Sequence, residues 1–224
     1  MGSVIGDLLP LALGVAVSPM PIVAVILMLL APRAGGASAG FLGGWVVGIV
    51  VACTVFLLLA GTMSLGSGAE PSTTGSWVKV VLGLLLLAVG VREWRARPQP
   101  GTEPNVPKWM AAIDSFTTLK AAGLGFLLAA INPKNLLLGA SAGATIAAGS
   151  LSTGQNVTAV VVFTVISAST VAVPVVGYAM ARSRMAEPLA VLKEWLTANN
   201  ATVMGVLLLV IGVSLLGKGI GGLG

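Results

Sequence analysis

The chain has 224 residues, of which only 8% are charged against 56% hydrophobic, and it carries a net charge of +5. Globular proteins carry ~25% charged residues, so a soluble enzyme, a disordered chain and a nucleic-acid reader built on a basic patch are all excluded. With a mean hydropathy of +1.02, the composition is that of an all-α, polytopic membrane protein.

Apolar runs at 5–31, 37–63, 77–92, 121–149, 157–181 and 201–217 predict six transmembrane helices. No basic residue precedes the first run, so the N-terminus is not expected to be a cleaved signal peptide. That run and the fourth are too long for one straight helix, and each is interrupted by proline. In the first, Ser18, Pro19 and Pro21 fall about ten apolar residues from either end, roughly 15 Å at 1.5 Å per residue, near the bilayer midplane. Proline removes an N–H and crowds the preceding turn, which leaves carbonyls near residues 14–18 in need of partners. The second run carries Gly36, Gly40, Gly44 and Gly48, a four-residue series that suits close helix approach. The third ends in a basic stretch. A polar, proline-rich linker, RPQPGTEPNVP at 97–107, then separates two three-span halves. The expected organisation is a first repeat over 1–96, a linker over 97–108 and a second repeat over 109–224. Apolar positions 109, 110, 113, 116 and 119 predict a short interfacial helix ahead of the fourth run.

The fourth run is broken by INPKNL at 131–136. Lys134 is the ionisable side chain set deep in an apolar stretch, where a charge is costly and marks a functional site by default. The helix that restarts after Pro133 presents N–H groups with partial positive charge. Asn132 and Asn135 can cap it or donate to a ligand. Lysine plus a helix N-terminus favours an anionic group: carboxylate, phosphate or sulfate. The expected binding set is therefore Ser18, Pro19, Pro21, Asn132, Pro133, Lys134 and Asn135, with Arg33, Asp114 and Thr117 as candidate gate residues.

Nine of the twelve basic residues fall in the loops after the first, third and fifth runs. The positive-inside rule makes those loops cytoplasmic and both termini extracytoplasmic. Histidine is absent and Cys53 is the lone cysteine, so no metal site, two-thiol relay or Cys–His nucleophile is expected. No cofactor is called for, and the chain is expected not to be an enzyme.

The halves also match each other. GLLLLAVGV at 83–91 and GVLLLVIGV at 205–213 agree at six of nine positions. ACTV at 52–55 aligns with ASTV at 168–171, and Ser18-Pro19 with Asn132-Pro133. Three spans per repeat force the second copy into the membrane upside down, an inverted-repeat architecture found in secondary transporters.

The elements SPMPIVAVILMLLAPR at 18–33, GFLGGW at 40–45, Asp114-Ser115, INPKNL at 131–136 and AGATI at 142–146 resemble the actinobacterial GAP family. These are the peptidoglycolipid- and sulfolipid-addressing membrane proteins, grouped with the lysine-exporter superfamily. The resemblance implies a six-span exporter in the bacterial inner membrane that helps move glycolipids or glycopeptidolipids toward the envelope. An exporter of a small amino acid, or a non-transporting scaffold for envelope lipid synthesis, are the alternatives. The expected partners are membrane lipids, a lipid or small-molecule substrate, and either a second copy in a homodimer or envelope-biosynthesis proteins; nucleic acid is not among them.

Overall fold

The computed structural model describes residues 1–31, 34–62, 73–97, 113 and 115–223. All regular structure among them is helical: α1 Gly2–Ala16, α2 Pro19–Leu30, α3 Ala34–Thr62, α4 Thr73–Arg95, α5 Thr118–Ala130, α6 Pro133–Ala148 and α7 Thr153–Gly221. Backbone angles at Ala181 (φ −144°, ψ 53°) break α7 into two arms, Thr153–Arg182 and Arg184–Gly221. Helices α3 and α4 and both arms of α7 are each long and apolar enough to cross a membrane. The pairs α1/α2 and α5/α6 pass the same test jointly, bent by 51° and 62°. The chain is thus a membrane protein with four to six candidate spans.

Each of the six apolar runs falls on helix, in the same order along the chain, with the first and fourth runs each divided between two helices and several boundaries shifted. Helix α7 continues through 182–200, which the sequence assigned to a loop. That stretch is amphipathic: Leu189 and Leu196 are buried, with Tyr178, against Ile22, Val23, Ile26 and Leu29 of α2, while Glu187 and Glu194 are exposed. A seven-residue step keeps one helix face on α2, so packing extends the helix beyond its apolar part. The expected interfacial helix over 109–120 lies in part outside the described residues, and Phe116 and Thr117 ahead of α5 are not helical. Of its apolar positions, Ile113 is buried, whereas Leu119, already in α5, is 82% exposed. Most of the linker is also outside them; Arg97, at its start, lies over the Trp94 ring at 3.6 Å.

Small residues set the packing. Helix α3 runs beside α5 and then α6. A Cβ at Gly40 or Gly44 would collide with the carbonyls of Thr118 or Ala122, and one at Gly48 would lie 2.6 Å from Ala129 Cβ. Gly125 answers from α5 against the Phe41 carbonyl, and Gly143 from α6 against Cys53 and Leu57. Helix α4 lies antiparallel to the second arm of α7. Gly83 meets Leu216 and Gly205 meets Trp94; Gly90 meets Leu209 and Gly212 meets Leu87. The glycines that match between the halves thus face the same interface from its two sides.

These contacts separate two adjacent glycines. Gly44→Val is expected to lower stability by ~1–3 kcal/mol through overpacking. Gly43→Val, whose Cβ would meet nothing within 4 Å, should leave thermal unfolding in detergent close to wild type.

Candidate functional site

Two helix interruptions build the site. At the first, Ser18 is the N-cap of α2 and Pro19 its first helical residue. At the second, Asn132 caps α6, and Pro133 follows. Proline at the first helical position costs no hydrogen bond, because that N–H has no intrahelical partner. The breaks are therefore well-made helix starts. The deficit lies on the preceding helix, whose last carbonyls have no amides ahead of them.

Side chains and turns meet that deficit. Val17 N–H bonds to the Leu13 carbonyl at 2.8 Å, and Ser18 N–H to that of Val15 at 3.2 Å. The Gly14 carbonyl accepts from Lys134 Nζ at 3.4 Å, and the Ala16 carbonyl from Thr170 Oγ1 of α7. At the second break, Asn135 Nδ2 donates to the Leu128 carbonyl at 2.8 Å. Gly14 and Leu128 occupy the same place relative to Ser18 and Asn132, so both breaks are closed alike by side chains of α6.

Lys134 is the centre of the cluster. Its ammonium donates to the Gly14 carbonyl, to Ser18 Oγ and to Met204 Sδ at 3.1 Å. Ser18 Oγ donates onward to Asn135 Oδ1 at 3.3 Å. The chain Lys134–Ser18–Asn135–Leu128 thus joins both breaks, and each bond polarises the next. Exposure is 9% at Lys134, 3% at Asn135 and 2% at Ser18, so the cluster is closed. Among the described residues Lys134 has no ion-pair partner; the ion pair joins Lys218 to Asp7 at 2.6 Å instead.

The sequence-derived residues divide on inspection. Ser18, Lys134 and Asn135 come together. Pro19 and Pro21 are buried in the first turn of α2, while Pro133 is exposed on the outside of its bend. Asn132 is occupied by its own helix, accepting from Lys134 N–H at 3.1 Å. The α6 N-terminus is weaker as an anion site than its sequence implies. Pro133 has no N–H, Asn132 takes that of Lys134, and Leu136 N–H already bonds to the Asn132 carbonyl at 2.8 Å. Thr117 caps α5 by accepting from Lys120 N–H at 3.3 Å. Arg33 and Asp114 lie outside the described residues. Gly14 and Ala16 are among the carbonyls near 14–18 that the sequence left in need of partners, whereas sequence reasoning missed Thr170 and Met204. The one available signal was a hydroxyl, Thr170, in the ACTV/ASTV match.

The arrangement can hold one cation in a dry interior with neutral acceptors. Sulfur is the weakest of the three, so the Met204 side is where an oxyanion would gain most by entry.

Fold and site define an all-helical membrane protein whose two bent helix pairs meet around a buried lysine. The chain belongs to the family described as Sap, sulfolipid-1-addressing protein, whose family model matches residues 8–221. No curated protein and no solved structure matches it.

Removing Ser18 Oγ strips an acceptor from the ammonium and a donor from Asn135. Ser18→Ala is expected to destabilise by ~1–3 kcal/mol, the cost of buried unpaired polar groups. Met204→Leu, losing only a weak acceptor, should cost under ~1 kcal/mol on the same scale. Thermal unfolding of both variants in detergent checks the order.

Proposed function

We propose that this chain is a carrier, not an enzyme, which moves an anionic or polar envelope lipid toward the outer leaflet of the bacterial inner membrane. The observation that carries this reading is the Lys134 ammonium. It is buried where two bent helix pairs meet, held by a carbonyl, a hydroxyl and a thioether, with no ion-pair partner among the described residues. Burying a charge costs several kcal/mol per ion, and membrane ionisable groups sit on substrate paths. A headgroup oxyanion supplies the missing counter-charge at the Met204 side. The family's name concerns a sulfolipid, and a sulfo headgroup is such an anion.

In this reading each bent pair is one span, giving six spans in two inverted repeats of three. Three observations support it. The matched glycines of α4 and the second α7 arm face each other across one antiparallel interface. Both breaks are closed by equivalent side-chain bonds. The basic residues Arg92, Arg95, Lys120, Arg182 and Arg184 stand near helix ends that the alternation of spans assigns to one side, and the Asp7–Lys218 pair ties the first and last helices together. The basic side is cytoplasmic by the positive-inside rule, so both termini are extracytoplasmic. Closure over Lys134 means that the substrate enters in another conformer, as alternating access requires.

Lys134→Met removes the charge along with its burial penalty. The variant leaves the Gly14 carbonyl without its donor and is expected to remain folded at a cost of ~1–3 kcal/mol, yet to be inactive in moving anionic lipid across reconstituted bilayers. Lys134→Arg keeps the charge with altered geometry and should retain part of the activity. Full transport by the methionine variant would overturn the anion site.

Orientation has its own check. Single cysteines at Ser67 and Gln99, in a Cys53→Ser background, should differ toward an impermeant thiol reagent in intact cells. Only the one at 67 is expected to react.

A further inference from the structure

A second feature lies away from Lys134. Between the later half of α3 and the start of α7 runs a cavity of about 950 Å³, walled by Val46, Val50, Leu57 and Leu58 on one side and by Val157 and Val161 on the other. Leu58, Val157 and Val161 are 64%, 60% and 53% exposed, so the cavity opens sideways from the helix bundle. It reaches from Thr62 and Thr153, at the end opposite the basic residues, inward to Val46 and Val165. At 1.5 Å per residue those stretches are about 24 Å and 18 Å long.

The wall is not wholly apolar. Asn156, Val160 and Thr164 follow one another at four-residue steps and all line the cavity. Among the described residues Asn156 Oδ1 and Thr164 Oγ1 are buried without a hydrogen-bond partner, as are Trp45 Nε1 and Ser167 Oγ outside the groove. Buried polar atoms are almost always paired, and the open Asn156 is placed to meet a polar group of an occupant. The groove's length decides between candidate occupants. A second copy of the chain would pack along a whole span, ~30 Å or more of hydrocarbon. The groove instead matches a single leaflet with its headgroup layer, about 20–22 Å.

We propose that this groove binds one chain and the linkage region of a lipid from the extracytoplasmic leaflet. A hydroxyl or carbonyl group of the linkage pairs with Asn156 near the mouth, and the methylenes run inward along the valines and leucines past Thr164, about 12 Å deeper. The proposal rests on the membrane arrangement given above and on no property of Lys134.

The full chain is reconstituted in vesicles of phosphatidylethanolamine and phosphatidylglycerol, with a trace of phosphatidylglycerol carrying a diazirine on one acyl chain. After irradiation, adducts are mapped by mass spectrometry. Adducts on Leu58, Val157 and Val161 are expected at least fivefold above those on Leu84 and Val210, which are comparably exposed on α4 and the second α7 arm. Val161→Trp, or Leu58→Trp from the opposite wall, should reduce groove adducts at least fivefold, while Leu84→Trp leaves them unchanged. Asn156→Leu should reduce them two- to threefold, with recovery in Asn156→Gln. Even labelling of all these positions would mean ordinary surrounding lipid and overturn the proposal. So would an unlabelled groove in which Val157→Cys, in a Cys53→Ser background, forms a disulfide-linked dimer, because the occupant would then be a second copy. Lys134→Met should leave the labelling pattern intact. Focused labelling without transport therefore refutes the carrier reading alone, and transport without focused labelling refutes the groove alone.

Discussion

The bond from the Lys134 ammonium to the first helix break is the constraint on which the rest of the architecture depends. Two deficits cancel there. A helix ending at Ala16 leaves carbonyls that hydrocarbon cannot satisfy. An ammonium in the same hydrocarbon needs acceptors and brings no water with it. Gly14 offers its carbonyl to Lys134, and Ser18 adds a hydroxyl that relays the bond to Asn135. Neither break is stable in isolation, so α1/α2 and α5/α6 are held together by necessity of composition. Thr170 extends the same logic to α7 by taking the Ala16 carbonyl.

Helix association must bring those groups together without help from a hydrophobic effect, since lipid is as apolar as leucine. Close backbone approach supplies the contact instead. Glycines of α3 admit the carbonyls of α5, and glycines of α5 and α6 admit those of α3. The bent pair α5/α6 is thereby fixed along one straight helix, which sets where Lys134 points. Along its charged stretch, α7 uses ordinary amphipathic packing, with Leu189 and Leu196 on α2.

Much of this was legible in the sequence, for identifiable reasons. Proline breaks, apolar runs and a four-residue glycine series are local patterns, and local patterns survive without coordinates. Lys134 stood out because a lone charge in an apolar run is expensive wherever the chain folds. One of its partners was legible as well, since the proline break leaves carbonyls near 14–18 open and Gly14 is one of them; Met204, 70 residues away, carries no chemical label. The continuity of α7 through 182–200 was hidden because charge marked the stretch as a loop, whereas burial of one face on α2 decided it. Asn132 and Pro133 were read as ligand-facing, but the first is used by its own helix and the second faces outward. The lipid-facing groove gave no sequence signal, since a threonine among valines is unremarkable until its hydroxyl lacks a partner.

The pairing of α3 with α5 and α6 has a consequence for how the chain is made. Helix α3 ends at Thr62, while its partners are not complete until Ala148. At ~5–20 residues per second of synthesis, the glycine face of α3 waits several seconds in lipid before the backbones it was shaped for arrive. Glycine suits that interval, because it offers passing helices no bulky side chain to grip. The second half of the chain then completes the first during biogenesis, and the order of translation becomes part of the assembly pathway.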